Sequence, residues 1–254
     1  MAETTDCAAL VLAAGAGTRM KSSTQKTLHE IGGRSLLGHA LHAAAGLNPQ
    51  HLVVVVGHQR DQVSPAVEAI AQELNCEVSQ AVQEEQNGTG HAVQCGLTAL
   101  PDFTGTVIVT NGDVPLLRPE TLRQLHEAHT SQGNAVTVLS MSLEDPTGYG
   151  RVLRAEDGSV TAIVEQKDAT EEQRAVREVN SGVFAFDGAV LRDALTKLNS
   201  DNAQGELYIT DVLEIAREGG HNVGAHVAAD PDELSGVNDP VSYTHLRAHE
   251  TSLH

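Results

Sequence analysis

Residues 7–26 read CAALVLAAGAGTRMKSSTQK and join an unbroken apolar run to a glycine-containing loop and several basic residues. The run from Cys7 to Ala14 contains no polar residue, as expected of a strand that is covered on both faces of a parallel sheet. Gly15 and Gly17 follow closely, and small residues allow backbone N–H groups to approach a ligand. The stretch therefore predicts a central β-strand that ends in a tight turn suited to phosphate.

Outside this stretch, short apolar runs alternate with longer segments of helical periodicity. LVVVV at residues 52–56 and TVIVT at residues 106–110 resemble buried strands. The predicted helices lie at residues 35–47, 62–74, 91–100, 119–130, 190–198 and 207–216, and strand patterns predominate from residue 134. Alternating strands and helices are typical of βαβ units. We therefore predict an α/β fold with a Rossmann-like, mostly parallel mixed sheet, in one domain over residues 1–240.

The composition restricts the partners of this chain. Its 254 residues carry a formal net charge of −18, and a field of that sign repels nucleic acid and anionic lipid. No apolar run approaches about 18 residues, and the N-terminal residues Met1 to Asp6 are acidic and polar, unlike a signal peptide. Three cysteines leave one unpaired, which suits a reducing compartment. We expect a cytoplasmic protein that binds neither nucleic acid nor membranes.

Basic residues stand beside the glycine loop although the chain as a whole is acidic. Arg19 and Lys26 lie seven positions apart, with Lys21 between them, and such groups together would attract a polyphosphate. The Walker A pattern is absent, and Met20 stands where a dinucleotide fingerprint needs its third glycine. P-loop and dehydrogenase interpretations therefore lose support. A tight β-to-α turn with solvated charges remains the alternative to a phosphate site.

Two further segments place polar groups at predicted turns and strand ends. The stretch from Gln83 to Ala92, QEEQNGTGHA, offers a carboxamide, which supplies both a donor and an acceptor to the edge of a base. A plain Asn-Gly turn would give the same pattern. Asp113, in NGDVPL, follows the third strand, where open α/β sheets bind ligands and a carboxylate suits Mg²⁺. An exposed turn residue is the alternative at that position.

The 13 histidines do not form a recognisable metal motif. The pairs His39/His42 and His126/His129 lack the Glu or Cys partners of zinc signatures. No G-x-S-x-G sequence is present. We expect neither a zinc site nor a Ser-His-Asp triad.

The segment L-A-A-G-x-G-T-R-M-x-S-x-x-x-K-x-L, which begins at Leu12, resembles the signature loop of sugar-phosphate nucleotidyltransferases. It is most similar to the uridylyltransferase part of the bacterial bifunctional enzymes that make UDP-N-acetylglucosamine. The resemblance extends over about residues 6–240 and includes residues 83–92, 111–116, 148–151, 163–167, 179–182, 202–211 and 236–239. Gln25 departs from it, because the family usually has proline there. We expect this loss of a stiff residue to loosen the placement of Lys26.

The resemblance implies a set of site residues. Arg19 and Lys26 are the implied catalytic residues, and Asp113 and Asn238 the implied Mg²⁺ ligands. The implied substrate-binding residues are Leu12, Ala13, Ala14, Gly15, Lys26, Gln83, Gly88, Thr89, Asn111, Gly112, Asp113, Gly150, Glu165, Asn180 and Asn238. Within that set, Gln83 and the Gly88-Thr89 backbone would read the base, and Gly150, Glu165 and Asn180 would contact the sugar.

The implied reaction is Mg²⁺-dependent transfer of uridylyl from UTP to N-acetyl-α-D-glucosamine 1-phosphate, which gives UDP-N-acetylglucosamine for peptidoglycan synthesis and releases pyrophosphate. A related enzyme that uses another nucleotide and a non-catalytic nucleotide-sensing domain remain alternatives. The family's full-length enzymes also have a β-helix of hexapeptide repeats, which carries an acetyltransferase and forms a trimer. No such repeats occur here, so we expect a trimer only where that domain is present. Residues 241–254 depart from the family, and we expect a disordered or non-native tail there.

Overall fold

The computed structural model describes residues 5–244, which form one nine-stranded sheet with helices on both faces and one small hairpin. The strands are β1 (Thr5–Leu12), β2 (Glu30–Ile31), β3 (Arg34–Ser35), β4 (Pro49–Val56), β5 (Ser79–Val82), β6 (Thr106–Asn111), β7 (Val136–Ser142), β8 (Arg151–Arg154), β9 (Val160–Val164), β10 (Glu178–Asp187) and β11 (Val223–Val227). The α-helices are α1 (Leu36–Ala45), α2 (Arg60–Leu74), α3 (Thr89–Leu97), α4 (Pro119–Ser131), α5 (Glu171–Arg174), α6 (Gly188–Leu195) and α7 (Asp211–Glu218). Short 3₁₀ helices cover Thr18–Met20, Lys26–Leu28 and Pro231–Leu234.

The main strand order of the large sheet is β11-β7-β10-β6-β1-β4-β5. β1 pairs in parallel with both β4 and β6, β4 pairs in parallel with β5, and β11 pairs in parallel with β7. β10 runs antiparallel between β6 and β7, and β8 and β9 extend the sheet from β10. The prediction of a mostly parallel mixed sheet in an α/β fold is therefore confirmed.

β1 lies at the centre because its side chains can be buried on both faces. Ala8 and Leu10 belong to one core cluster, and the alternate residues Ala9 and Val11 belong to another. The first cluster includes residues of α3, α6 and α7, and the second includes residues of α1 and α2. The period of two along a strand sends successive side chains to opposite faces, so an uninterrupted apolar run occupies a position covered by helices on both sides.

All six predicted helices are present, with ends that differ by a few residues. α7 differs most at its start, because the prediction began at residue 207 and the helix begins at Asp211. The Leu207 carbonyl accepts a bond from Gly90 N–H at 2.7 Å, and the Leu207 N–H donates to Asn87 at 2.9 Å. A segment whose backbone groups pair with a distant turn cannot also begin a helix.

The chain after Pro240 was expected to be a tail. Residues 240–244 form a helical turn, and Tyr243 Oη donates to the Glu30 carbonyl at 2.6 Å. Residues 245–254 lie outside the described residues, so the boundary at residue 240 stays a prediction. Between residues 5 and 244, no helix combines the length and the apolar character that crossing a membrane requires.

Candidate active site

Loops from the carboxyl ends of β1, β5 and β6 meet at one edge of the sheet and surround a cavity of about 320 Å³. The carboxyl edge is where parallel α/β sheets bind ligands. The cavity is lined by Leu12, Ala13, Ala14, Gly15, Lys26, Thr27, Gln83, Gln86, Gly88, Thr89, Ala92, Asn111, Asp113 and Glu206. Ten of these residues belong to the substrate-binding set implied by the sequence, so the structure brings together segments that are up to a hundred residues apart.

The loop after β1 offers backbone donors. Among the described residues, no acceptor forms a hydrogen bond with the backbone N–H of Gly15, Ala16 or Gly17. Gly17 has a φ of +60°, and a Cβ there would lie 2.6 Å from Lys26 Cβ. Glycine is therefore required at this position for both conformation and space. Three consecutive N–H groups without protein partners, next to a basic side chain, suit an anionic ligand.

Four implied site residues lie close together beside this loop: Arg19, Lys26, Asp113 and Asn238. Lys26 Nζ forms an ion pair with Asp113 Oδ2 and lies 3.4 Å from Asn238 Oδ1. Arg19 donates to the same Asn238 oxygen at 3.0 Å. The Asp113 carbonyl accepts a bond from Val237 N–H at 2.9 Å, and this bond holds the Asn238 segment against β6. These four residues form what we call the cation cluster. It concentrates two cations and two oxygen atoms that can ligate a metal in one small region of an acidic protein.

The oxygen donors of this cluster fit Mg²⁺. Asp113 supplies a carboxylate and Asn238 an amide oxygen, both of the hard type that Mg²⁺ prefers, and Mg²⁺ commonly takes only one or two protein ligands beside phosphate and water. Both oxygens already face one cation, the Lys26 ammonium. The Asp113 side chain is 16% exposed and the Lys26 side chain 14%, so a ligand can reach them.

Another part of the cavity lining consists of a buried carboxamide, that of Gln83, and the glycine turn at Gly88. Gln83 Nε2 donates to the Gly88 carbonyl at 3.0 Å and lies 3.2 Å from His91 Nδ1. Gly88 has a φ of +99°, and a Cβ there would lie 2.6 Å from the Leu207 carbonyl. Gln83 Oε1 accepts no hydrogen bond from any of the described residues, so this part of the cavity lining retains an acceptor for a ligand.

The residues implied for the sugar form a second group beside the cavity. Asn180 N–H donates to the Gly150 carbonyl at 2.8 Å, and a Cβ on Gly150 would lie 3.2 Å from Glu165 Oε1. Thr210 donates to the same Glu165 oxygen at 3.4 Å. Burial raises the pKa of the Glu165 carboxyl group. Asn180 Oδ1 accepts the Gly182 N–H at 2.8 Å, and the Gly182 carbonyl lies 3.4 Å from Nδ2 of Asn111 in the cavity lining. The group therefore adjoins the cavity through Gly182 and Asn111.

With this geometry established, comparison with known proteins identifies the family. The MobA-like NTP transferase domain matches residues 9–203. The chain belongs to this family of NTP transferases. Bifunctional protein GlmU of Corynebacterium aurimucosum is 90% identical over 241 residues, which cover 95% of this chain and 50% of that protein. Bifunctional protein GlmU of Corynebacterium efficiens is 68% identical over 234 residues, covering 92% of this chain and 48% of that protein. The chain thus spans about half the length of these relatives.

Solved structures confirm the NTP transferase fold. A UDP-glucose pyrophosphorylase complexed with UDP-glucose superposes with a TM-score of 0.76 at 17% identity, over 97% of this chain and 98% of that chain. A putative glucose-1-phosphate thymidylyltransferase from Bacillus anthracis gives a TM-score of 0.74 at 20% identity, over 96% and 94% of the two chains. At these identities the likeness concerns the fold alone.

Within this NTP transferase, six implied site residues lie outside the cavity lining: Arg19, Gly112, Gly150, Glu165, Asn180 and Asn238. Arg19 and Asn238 belong to the cation cluster at its mouth, and Gly150, Glu165 and Asn180 form the sugar-side group. Gly112 lies behind the lining and donates its N–H to the Leu12 carbonyl at 2.9 Å. This bond joins the end of β1 to the residue that follows β6, and so helps to fix the start of the loop after β1.

Four lining residues were missed from the sequence: Thr27, Gln86, Ala92 and Glu206. Three of them neighbour implied site residues and could have been found from that proximity. Glu206 is different, because it reaches the cavity on the segment from Asn202 to Thr210, which pairs with the turn at residues 87–90. Its segment was part of the resemblance, but nothing local in the sequence assigns it to this wall.

The expected loosening at Gln25 is wrong. The residue is only 1% exposed, and its side chain bonds to the Gly15 carbonyl at 3.0 Å and to Thr27 N–H at 2.6 Å. Its backbone N–H donates to Gln62 Oε1 at 3.1 Å. The segment that carries Lys26 is therefore fixed by hydrogen bonds where proline would have fixed it by its ring.

Proposed function

We propose that this NTP transferase moves the uridylyl group of UTP onto N-acetyl-α-D-glucosamine 1-phosphate, with release of pyrophosphate. One observation carries the proposal: Arg19, Lys26, Asp113 and Asn238 converge beside the loop after β1, whose backbone N–H groups at residues 15–17 have no acceptor within residues 5–244. The high identity to the bifunctional GlmU proteins supports the choice of nucleotide and sugar.

The attacking group in this reaction is an anionic phosphate oxygen of the sugar phosphate. It forms a new bond to the α-phosphorus of UTP as the bond from that phosphorus to the β-phosphate oxygen breaks, and pyrophosphate leaves with the electron pair. Because the nucleophile is already deprotonated, the protein needs no general base. Its task is to align the groups and to offset their charge.

The cation cluster supplies that charge. Arg19 is exposed at the mouth and would bind the phosphates that leave, and Lys26 would hold phosphate at the reacting centre. Asp113 and Asn238 would hold Mg²⁺, which when bound neutralises and orients phosphate oxygens. The backbone donors after β1, which lie next to Lys26, would bind the triphosphate as well.

The two ends of the site would select the substrates. Uracil presents a donor and an acceptor, which the Gln83 carboxamide and the Gly88-Thr89 backbone can match. The hydroxyl and N-acetyl groups of the sugar would bond to Gly150, Glu165 and Asn180. These roles follow the resemblance. Their support is that Gln83, Gly88 and Thr89 line the cavity together, and that Gly150 lies against both Glu165 and Asn180.

The proposal is tested by measuring pyrophosphate release from UTP and N-acetylglucosamine 1-phosphate, with and without Mg²⁺. CTP, GTP and TTP serve as controls. Turnover with UTP that depends on Mg²⁺ supports the proposal. Preference for another nucleotide would assign a different nucleotidyltransferase, and binding of UTP without turnover would assign a nucleotide sensor.

Asp113→Ala tests the site itself. We expect turnover to fall by about 10²- to 10³-fold, as when one preorganised electrostatic contact to a transition state is lost. Asp102→Ala, at an exposed carboxylate on the other edge of the sheet, is the matched control and should retain full activity. An Asp113→Ala protein that melts like the wild type and keeps full Mg²⁺-dependent turnover would refute the assignment.

The cell compartment and assembly follow the same proposal. We place the enzyme in the cytoplasm, since Cys7, Cys76 and Cys95 are free thiols, as is usual in a reducing compartment. A trimer is proposed only for a chain that also carries the second domain of the longer enzymes.

A further inference from the structure

Gln25 is a buried polar residue that has no role in the reaction proposed above. It is 1% exposed, whereas its neighbours at residues 21–24 are all exposed. Burying a carboxamide is costly unless its donors and acceptor are bonded. The contacts that satisfy Gln25 therefore indicate what it does.

The Gln25 side chain joins two walls of the candidate active site. Its Nε2 donates to the Gly15 carbonyl at 3.0 Å. Its Oε1 accepts bonds from the N–H and the hydroxyl of Thr27, each at 2.6 Å. Gly15 and Thr27 both line the cavity, and Lys26 stands between Gln25 and Thr27 in the chain. One carboxamide thus connects the loop after β1 to the segment that carries the ammonium group.

A second glutamine, Gln62, bonds to the backbone of Gln25 and Ser23. Gln62 Oε1 accepts the Gln25 backbone N–H at 3.1 Å, and Gln62 Nε2 donates to the Ser23 carbonyl at 3.2 Å. Gln62 belongs to α2, which packs on the sheet. The Gln25 backbone is therefore anchored to α2, while its side chain bonds to Gly15 and Thr27.

The bond to Gly15 determines how the loop presents its donors. The peptide group between Gly15 and Ala16 is planar, with its carbonyl and N–H pointing in opposite directions. Fixing the carbonyl therefore fixes the direction of Ala16 N–H. The N–H groups of residues 15–17 have no acceptor among the described residues. The Ala14 carbonyl, which accepts a bond from His58 N–H at 3.2 Å, orients Gly15 N–H, and the bond from Gln25 to the Gly15 carbonyl orients Ala16 N–H.

We infer that Gln25 is a positioning residue for nucleotide phosphates. It holds the backbone donors after β1 and the Lys26 ammonium in one relative arrangement, so that both meet the triphosphate together. This inference rests on the proposed function, since it assumes that a nucleoside triphosphate occupies the cavity. It predicts an effect on nucleotide binding that the sugar phosphate does not share.

Three substitutions separate the possible contributions. Gln25→Met keeps the length and neutrality of the side chain and removes all of its hydrogen bonds. Gln25→Glu keeps the acceptor for Thr27 and removes the donor to Gly15. Gln25→Pro is compatible with the observed φ of −58° and replaces the hydrogen bonds by a ring that restricts the backbone. Gln72→Ala, on the exposed side of α2, is the control.

The measurements are kcat, the KM of each substrate, the Kd of Mg²⁺–UTP by calorimetry, and Tm. For Gln25→Met we expect the KM and Kd of UTP to rise about tenfold, or about 1.4 kcal/mol, because UTP would then have to order the loop after β1 and the Lys26 segment as it binds. The KM of the sugar phosphate should change less than twofold. Gln25→Glu should also weaken UTP binding, and Gln25→Pro should fall between the wild type and Gln25→Met.

The outcomes distinguish this inference from the proposed function. A wild-type protein that binds UTP without turnover contradicts the proposed function, and the Kd values still decide on Gln25. An active wild type whose Gln25→Met variant binds UTP unchanged overturns the inference alone. Equal losses for both substrates together with a lowered Tm also overturn it, because they indicate a structural role only. A wild type that binds no nucleotide contradicts both.

Discussion

The two sides of the candidate site, the nucleotide side and the sugar side of the proposed function, are built in different ways. The nucleotide side, which apart from Glu206 and Asn238 lies within residues 5–131, lines the cavity with turns that contain small residues, as at Gly15 and Gly88. The sugar side, within residues 136–227, presents side chains next to strand ends, such as Glu165 after β9 and Asn180 in β10. Backbone donors suit phosphate whatever the nucleotide, whereas side-chain acceptors can discriminate among hydroxyl groups.

The charge distribution follows the same division. Arg19 and Lys26 belong to the nucleotide side, and the half-buried carboxylate Glu165 belongs to the sugar side. Substitutions in the two regions should therefore produce different kinetic effects. Loss of a cation should reduce catalysis as a whole, and loss of the carboxylate should affect one substrate.

Lys26→Met is expected to have the largest effect. The substitution removes the ammonium and keeps most of the side-chain length, so that Asp113 and the phosphates lose a shared cation. We expect kcat/KM for UTP to fall by about 10²- to 10³-fold, as for other preorganised electrostatic contacts. Steady-state kinetics measure it, with Lys21→Met at an exposed position of the same loop as the control. Equal losses in both variants would show that the general positive field matters, and not the placement of Lys26.

Glu165→Gln is expected to have a smaller and more selective effect. The amide has the same shape but is a weaker acceptor than a carboxylate, and we expect the KM of the sugar phosphate to rise about tenfold with little change for UTP. Burial raises the pKa of Glu165, so its carboxylate is lost earlier as the pH falls. The wild type should therefore bind the sugar phosphate less well toward acidic pH, and Glu165→Gln should lack this dependence.

The control for that experiment is Glu172→Gln, an exposed residue of α5. Initial rates at several pH values, with each substrate varied in turn, provide the measurement. A similar rise in the KM of UTP would contradict the division into two sides, because it would show that Glu165 supports the fold of the whole site.

The features that could be predicted from the sequence are those that depend on local signals. β1 and its loop were recognisable because an unbroken apolar run and adjacent glycines are local signals. The start of α7 and the place of Glu206 were not, since both depend on bonds between residues 87–90 and Leu207, over a hundred positions away. Local patterns identify segments, but they do not specify which distant segments pair.

Gln25 illustrates the same limit at the level of one residue. From the sequence, a glutamine in place of proline means lost stiffness. The structure gives it bonds to Gly15 and Thr27 on one side and to Gln62 on the other. Rigidity can come from the ring of one residue or from the partners of another, and only the second depends on the tertiary structure.

The last prediction concerns a contact between residues 5–131 and residues 136–227, namely the one between α4 and β7. His129 in α4 is 3% exposed, and its Nδ1 lies 3.1 Å from the hydroxyl of Thr137 in β7. Burial, with a smaller contribution from nearby His126, lowers the pKa of His129 from 6.5 to about 4. The unfolded chain therefore binds more protons than the folded one across this range, and stability must decrease as the pH falls through it.

From pH 7 to pH 5 this group should lower the free energy of unfolding by about 1–2 kcal/mol. His129→Asn cannot titrate but can still bond to Thr137, so its unfolding free energy should depend less on pH, although His126 retains a dependence of the same sign. Urea unfolding at both pH values measures the difference, with His221→Asn at an exposed position as the control. If His129→Asn has the full pH dependence of the wild type, the buried contact between α4 and β7 does not control acid stability. If two separate urea transitions appear, the two regions unfold independently, and the proposed division of the site corresponds to a division of the fold as well.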